Sequence, residues 1–253
     1  MNKILVVCGD SFHSITNMKV NTAIGLVDLS GSHYSELLAK KLNYDLVNLA
    51  IPGSSLSLLA IQILEAINLN PSLIIIGPTP GIGQRIEYIE PDKGNAFDLE
   101  GNNLGLFYYG IREHPYTKLN LYKIGVVKTG SILDIPMLEY KEQLLKYFPT
   151  SIKQKYDEFS FLYAFRELVD SKINFLIFSK ALAWDQYYEE NFLNYVLKYS
   201  SYDNLIKKEE FDFADYYDQE VDRKLGIPYH TLPEVQITLA NYLELRIRNQ
   251  FNV

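Results

Sequence analysis

Short apolar runs recur along the first third of the chain, and turn-forming residues bound each of them. These runs are KILVVC at 3–8, DLVNLA at 45–50 and SLIIIG at 72–77. Apolar runs of this length between turn residues are typical of strands that are buried in a parallel sheet. The third run carries no charge, which favours a central strand covered on both faces.

Two segments between these runs have the periodicity of helices. The segment 32–42, SHYSELLAKKL, places four apolar side chains on one helical face: Tyr34, Leu37, Leu38 and Leu42. The segment 54–69, SSLSLLAIQILEAINL, predicts an apolar helix with Ser54 or Ser55 as its N-cap. The order strand, helix, strand, helix, strand predicts a parallel sheet with right-handed crossovers.

The pattern is less regular further along the chain. Residues 81–149 are rich in Gly, Pro, Asn and Tyr, and we expect an insertion with a few short strands that folds over one end of the sheet. Beyond it, 153–172 predicts a helix, 173–179 a fourth strand and 185–199 another helix. A fifth strand is expected between 199 and 222, either near the start of that segment or around FDFAD.

The final segment predicts a long helix. Thr231 is its candidate cap, Pro233 and Glu234 suit its first turn, and an apolar face follows: Val235, Leu239, Tyr242 and Leu243. No repeat or linker-like stretch divides the chain, so residues 1–253 are expected to form a single domain.

Composition excludes several classes of protein. A net charge of -7 argues against nucleic-acid binding, which depends on clustered Lys and Arg. No run reaches the roughly 18 apolar residues of a membrane span, and the N-terminal run is too short for a signal peptide. The single cysteine, Cys8, lies in the first apolar run and is expected to be a buried structural thiol. These features favour a cytoplasmic protein without a membrane partner.

Candidate chemistry follows the predicted strands. Ligands of open parallel sheets bind beyond the carboxyl ends of the strands. There the chain carries Gly9-Asp10-Ser11, then Ile51-Pro52-Gly53-Ser54-Ser55, then Gly77-Pro78-Thr79-Pro80-Gly81, and Tyr229-His230-Thr231 precedes the last helix. A serine, two glycine-bearing turns and a histidine at one edge form a set suited to acyl transfer, with a nucleophile, N–H donors and a base.

Three segments resemble the SGNH (GDSL-type) hydrolases: GDSF after the first strand, SHYSELLAKKLNYDLVNLAIPGSS through the second, and YHTLPEVQITLANYL at the end. About a third of the chain carries this resemblance, and the segment 81–149 carries none. The resemblance implies a three-layer α/β/α flavodoxin-like sandwich with a parallel sheet of about five strands. It also implies serine-dependent hydrolysis of an ester-linked acyl group, on a small molecule or a glycan, with no cofactor.

The resemblance assigns roles to individual residues. Ser11 corresponds to the nucleophile and His230 to its general base, while the N–H groups of Ser11 and Gly53 correspond to oxyanion donors. Thr79 falls where the family has an oxyanion asparagine, and its hydroxyl can donate one hydrogen bond. The family's aspartate before the histidine is replaced by Ile227 and Pro228. The acid is therefore expected from Asp222, with Asp218, Asp215 or a backbone carbonyl as alternatives.

Other interpretations of these residues stay open. Ser11 and Gly53 are also ordinary turn residues, so a catalytically inactive binding or structural protein of the same fold is an alternative. An acyltransferase would use the same site. The prolines of GPTPGIG remove N–H donors that a bound phosphate needs, which argues against nucleotide binding. The spacing of the four His and one Cys predicts no metal site. Asp10 is expected to cap or brace the turn around Ser11. His13 is expected to be an exposed loop residue, with lining of the pocket as the alternative, and His33 and His114 are expected to be structural.

Overall fold

The computed structural model describes residues 3–10, 12–15, 19–22, 25–28, 31–50, 54–78, 85–89, 96–97, 103–105, 124–128, 150–179, 186–211 and 233–252. The strands in these ranges are β1 (Ile4–Cys8), β2 (Lys19–Thr22), β3 (Gly25–Asp28), β4 (Asp45–Asn48), β5 (Leu73–Ile76), β6 (Arg85–Ile89), β7 (Ala96–Phe97), β8 (Asn103–Gly105), β9 (Ile124–Lys128), β10 (Phe175–Phe178) and β11 (Leu205–Ile206). The α-helices are α1 (Tyr34–Leu42), α2 (Leu56–Asn68), α3 (Thr150–Ser171), α4 (Gln186–Tyr199) and α5 (Pro233–Phe251).

Five strands form one sheet in the order β11-β10-β5-β1-β4. Every neighbouring pair is parallel. Numbered by their succession along the chain, these strands read 5-4-3-1-2, which is the flavodoxin-like order. The predicted parallel sheet of about five strands is therefore confirmed. Its fifth strand, β11, lies near the start of the segment 199–222, whereas residues 212–215 of FDFAD lie outside the described residues.

Successive side chains of the strands alternate between two hydrophobic clusters. Val6 and Cys8 of β1 lie in one cluster with side chains of α2, α3 and α4. Leu5 and Val7 lie in the other cluster, with side chains of α1 and α5. Because strand side chains alternate between the faces of a sheet, helices cover both faces. The molecule is a three-layer α/β/α sandwich, and Cys8 is buried in it as predicted.

Polar side chains cap the first two helices of the sandwich. His33 is the N-cap of α1: its ring accepts a hydrogen bond from Ser35 N, and the Glu36 side chain reaches back to the His33 N–H. Ser55 is the N-cap of α2, and its Oγ accepts from Leu58 N at 3.1 Å. Caps of this kind stabilise a helix by about 1 kcal/mol each. The structural role predicted for His33 is confirmed, whereas the predicted cap Thr231 and His114 lie outside the described residues.

Short antiparallel pairs accompany the sheet. In the segment 81–149, β6 pairs with β9 and β7 with β8, in agreement with the short strands expected there. The β2–β3 hairpin was not predicted, because its strand sequence KVNT lacks a clear alternation of polar and apolar residues. Among the described helices, none combines the length and apolar character that a bilayer span requires.

Candidate functional site

The order of the strands defines a crevice at one edge of the sheet. The chain passes from β1 to its neighbour β4, then returns to the opposite side of β1 to form β5. Ligands of doubly wound sheets bind at such a switch point, beyond the carboxyl ends of the two strands. Gly9 follows β1 and Gly77 follows β5, so both glycines lie at this crevice.

The five residues predicted for catalysis lie outside the described residues: Ser11, Gly53, Thr79, Asp222 and His230. The alternative acids Asp215 and Asp218 lie outside them as well. Described residues adjoin most of the predicted set. Asp10 and Phe12 flank the nucleophile, Ser54 follows the glycine, Pro78 precedes the threonine, and α5 begins three residues after the histidine. These neighbours define the frame to which the predicted residues are covalently attached.

The turn that follows β1 is held by the Asp10 side chain. Phe12 N donates to Asp10 Oδ1 at 3.1 Å, and His13 N donates to Asp10 O at 3.1 Å. This is the pattern of an Asx-type turn, in which a short carboxylate side chain satisfies the backbone two residues ahead. Asp10 is only 2% exposed, so the bond is shielded from water. The bracing role predicted for Asp10 is confirmed.

The peptide groups of Gly9 are bound by a side chain of α2. Gly9 N donates to Gln62 Oε1 at 2.7 Å, and Gln62 Nε2 donates to Gly9 O at 3.1 Å. The same Nε2 donates to Ser54 Oγ at 3.0 Å, and Ser54 Oγ donates to Gly9 O at 3.2 Å. Gln62 and Ser54 are both buried. One carboxamide therefore joins the turn after β1 to the start of α2.

His13 is buried, which corrects the prediction of an exposed loop residue. Its exposed fraction is 3%, and its Nδ1 forms a 2.7 Å hydrogen bond with Tyr34 Oη. The ring lies directly against the two crevice glycines. A Cβ on Gly77 would lie 1.8 Å from His13 Nε2, and a Cβ on Gly9 would lie 2.8 Å from His13 Cδ2. Only glycine leaves room for the ring at these two positions.

Burial makes His13 a weak base. The pKa of its imidazole falls from 6.5 to about 3, first because burial disfavours the charged ring and second because His33 lies nearby. Burial also raises the pKa of the Tyr34 hydroxyl well above its usual value, with smaller contributions from Cys8 and Asp10. A general base works best with a pKa near the operating pH. His13 is thus suited to fill the crevice as a neutral ring and not to take a proton from Ser11.

His13 is expected to make the protein sensitive to acid. The imidazole of His13 has a pKa of about 6.5 in the unfolded state and of about 3 in the folded state. Its contribution to stability is complete above pH 6.5 and declines as pH falls toward 3, by about 1 kcal/mol per pH unit. Urea unfolding at several pH values should show a smaller decline for His13→Asn, whose amide can bond Tyr34 but does not titrate. Equal pH dependence of the free energy of unfolding in the two proteins would contradict this assignment.

The start of α1 connects the β1 loop to α5. His33 Nε2 lies 3.2 Å from Phe12 O, and Asn48 Nδ2 donates to His13 O at 2.7 Å. Tyr34 N donates to Gln236 Oε1, in the first turns of α5, at 2.8 Å. This bond therefore holds the first turns of α5 close to the start of α1, and residue 230 precedes α5 by three positions in the sequence.

Sequence reasoning missed four residues of this network: Tyr34 as a polar partner, Asn48, Gln62 and Gln236. Two of them carried a usable signal. Gln62 is a polar residue within the apolar helix LSLLAIQILEAIN, and Gln236 lies next to the apolar positions of α5. A buried amide among apolar neighbours needs hydrogen-bond partners, and this requirement points to a specific role.

The described residues contain no group of three or more His, Cys, Asp or Glu side chains arranged to hold a metal ion. The Cys8 thiol lies inside the sheet, and burial raises its pKa far above the usual value. A thiol with a raised pKa is a poor nucleophile because the thiolate is the reactive form. Among the described groups, neither Cys8 nor His13 offers an alternative to Ser11 and His230.

These features define a doubly wound α/β protein with a braced turn at its switch point. No family model and no curated protein matches the sequence. Solved structures of similar fold include the psychrotrophic esterase EstA from Pseudoalteromonas sp., with 11% identity, a TM-score of 0.49 and 100% of both chains covered. A Desulfitobacterium hafniense protein, described as lipolytic and of the G-D-S-L family, has 11% identity and a TM-score of 0.48 over 97% of this chain and 99% of its own.

A third similar structure is a family two carbohydrate esterase from Clostridium thermocellum in complex with cellohexaose. It has 11% identity and a TM-score of 0.47 over 99% of this chain and 65% of its own. The Desulfitobacterium hafniense protein is described as a member of the family that three segments of this sequence resemble. At these identities the likeness concerns the course of the chain and not the chemistry.

Proposed function

We propose that the protein is a serine ester hydrolase whose nucleophile is Ser11. The main support is the bracing of the two residues that flank Ser11 at the switch point. Asp10 is bound to Phe12 N through its carboxylate, and the preceding Gly9 is bound through both peptide groups. A nucleophile needs such a fixed turn, because small displacements of the reacting oxygen cost much of its reactivity.

The proposed reaction has two halves. Ser11 Oγ attacks the carbonyl carbon of the ester while His230 takes its proton, and the negative oxygen of the tetrahedral intermediate accepts from the N–H groups of Ser11 and Gly53. The hydroxyl of Thr79 is a third donor. The intermediate collapses, the alcohol leaves with the proton from His230, and an acyl group stays on Ser11. Water then attacks this acyl-enzyme in the same way and releases the acid.

The base is assigned by comparing the histidines. His13 has a pKa of about 3 and is occupied by Tyr34, and His33 is occupied as the N-cap of α1. His230 precedes α5 by three residues in the sequence, and Gln236 of α5 accepts a hydrogen bond from Tyr34 N. The fourth histidine, His114, falls in the segment 81–149, which carries no resemblance to the hydrolases. Asp222 is the proposed acid that orients His230. The substrate class is an ester-linked acyl group on a small molecule or a glycan, and the reaction requires no cofactor.

One observation favours a second candidate. The His13 ring lies against Gly9 and Gly77 and fills part of the crevice. The space that remains there for a substrate is therefore small. A protein of this fold that binds ligands without turnover is therefore the alternative. An acyltransferase would share the acyl-enzyme and would differ only in using a second hydroxyl in place of water.

A fluorophosphonate probe tests the proposal directly. Its phosphorus should bond to Ser11 Oγ with loss of fluoride, and peptide mapping by mass spectrometry should place the label on the peptide that contains Ser11. Protein denatured by heat before the probe is added is the control, since an unfolded serine is not activated. Absence of the label, or its presence on another serine, would rule out Ser11 as the activated nucleophile. Labelling of Ser11 without release of acid from aryl esters would favour the binding protein or the transferase.

A further inference from the structure

Gln62 occupies a position where an apolar side chain would be expected. It lies in α2 with an exposed fraction of 1%, and it faces the carboxyl end of β1. Most other residues of its helix are apolar, and Leu58, Leu59 and Ile63 are fully buried near it. Burial of a carboxamide is unfavourable unless its oxygen and nitrogen both form hydrogen bonds. Both atoms of the Gln62 carboxamide form hydrogen bonds.

The partners of Gln62 are backbone groups that the sheet leaves unpaired. The ladder between β1 and β5 ends where Gly77 N donates to Cys8 O. Among the described residues, no strand lies beside the next peptide groups, Gly9 N–H and Gly9 C=O, and the Gln62 carboxamide binds both. The side chain thus takes the place of a neighbouring strand for one residue. It fixes the direction in which the chain leaves β1 toward Ser11.

The same carboxamide also binds the second turn of the candidate site. Gln62 Nε2 donates to Ser54 Oγ, and Ser54 Oγ donates to Gly9 O, which closes a ring of three groups. Ser54 follows Gly53 in the chain. Gly9 and Ser54 are separated by 45 residues, yet they are joined by one direct bond and by one shared partner.

We propose that Gln62 is a positioning residue that sets the spacing between the two oxyanion donors, the N–H groups of Ser11 and Gly53. This inference rests on the proposed hydrolase function. Oxyanion donors are effective only when they are held at fixed positions before the charge develops. Gln62 touches neither substrate nor reacting atoms. It acts through the peptide two residues before Ser11 and through the hydroxyl one residue after Gly53.

The Gln62→Glu variant tests the positioning role, because a purely structural role would not make the relative kcat depend on pH. A protonated carboxyl has one acceptor and one donor, so it can bind Gly9 N and Gly9 O as the carboxamide does. An ionised carboxylate only accepts, which leaves Gly9 O facing a negative oxygen. Burial raises the pKa of a carboxyl, and values of about 8 to 9 occur at buried sites. The kcat of the variant relative to the unaltered protein should therefore rise as pH is lowered from about 9 toward about 6.

At high pH the kcat of Gln62→Glu should be about 10-fold to 100-fold lower than that of the unaltered protein, because the oxyanion donors are displaced. The KM should change by less than about 3-fold, because the binding of the substrate in its ground state is kept. Gln62→Met, which can bind neither peptide group, should show a similar loss at every pH. Glu65→Gln is the matched control: it makes the reverse exchange one turn further along α2, and its residue is not a partner of Gly9. Its relative kcat should not vary with pH. Thermal unfolding at each pH restricts the comparison to conditions in which all variants are folded.

Hydrogen exchange of the Gly9 amide provides a readout that does not depend on turnover. It should accelerate in Gln62→Met, which cannot accept a hydrogen bond from Gly9 N, and should stay unchanged in Glu65→Gln. If Ser11→Ala keeps full turnover, the hydrolase proposal fails, whereas accelerated exchange at Gly9 would still support Gln62 as the residue that holds the turn. An unchanged kcat in Gln62→Met, or a relative kcat of Gln62→Glu that is independent of pH, would overturn the positioning role.

Discussion

Ser11→Ala is expected to lower kcat for a short-chain aryl ester by about 10⁴-fold or more, since loss of the nucleophile removes the acyl-enzyme route altogether. KM should change little, because alanine preserves the turn and removes only one oxygen. The bond from Phe12 N to Asp10 Oδ1 does not include the Ser11 hydroxyl, so this part of the loop should keep its conformation. Initial rates over a range of ester concentrations measure both constants.

Ser14→Ala is the matched control for this variant. Ser14 lies on the same loop and is buried, and the proposed reaction assigns it no role. Its kcat should stay within about 3-fold of the unaltered protein, since no group of the transition state is lost. Turnover that persists in Ser11→Ala, or that falls equally in both variants, would contradict the assignment of Ser11. Thermal unfolding of both variants separates lost chemistry from lost structure.

Gly77→Ala is expected to destabilise the protein by about 3 kcal/mol or more, because the new methyl group would overlap a ring that has no room to retreat. The Cβ would lie 1.8 Å from His13 Nε2 and 2.0 Å from His13 Cδ2. The His13 ring forms a hydrogen bond with Tyr34 Oη, and its centroid lies 5.1 Å from the centroid of the Phe178 ring. For a chain of this size the melting temperature should fall by about 10 °C.

A double-mutant cycle isolates the contact that causes this loss. In His13→Ala the ring is absent, so adding Gly77→Ala should cost less than it does in the unaltered protein, by at least about 1 kcal/mol. Gly31→Ala is the control. Gly31 has a φ of 81° and no atom within 4 Å of an added Cβ, so its cost is backbone strain alone. That cost should be the same with and without His13. Additive effects of Gly77→Ala and His13→Ala would show that the ring does not contact Gly77.

The sheet and its covering helices were predictable because their signals are local. Uninterrupted runs such as LIII of β5 and FLIF of β10 have few alternatives to a buried strand, and both are fully buried. The strand order could not be obtained in the same way. It depends on which apolar faces pair across long stretches of chain, and the sequence supplied it only through resemblance to a family.

The framework of the candidate site was only partly predictable. Asp10 was recognised as a brace because its partner lies two residues away. The partner of Gln62 was not predicted, because it lies 53 residues away and a polar residue in an apolar helix indicates only that a partner exists. His13 was assigned wrongly for a related reason: a histidine after a polar turn is usually exposed, and only the bare Cα atoms of Gly9 and Gly77 create the space that buries it. Ser11, Gly53, Thr79, Asp222 and His230 stay predictions.

The bond from Tyr34 N to Gln236 Oε1 spans 202 residues and has a consequence for the order of events on the ribosome. β1 and its loop leave the ribosome before α5, the helix that binds the start of α1. Until α5 has left the exit tunnel, α1 is the one described helix that packs on this face of the sheet, and the part that contacts Leu239 and Leu243 lacks its cover. The apolar side chains of β1 and α1 therefore stay partly exposed until α5 packs against them. A pause or truncation before residue 233 would leave a nascent protein with an apolar sheet face open to chaperones.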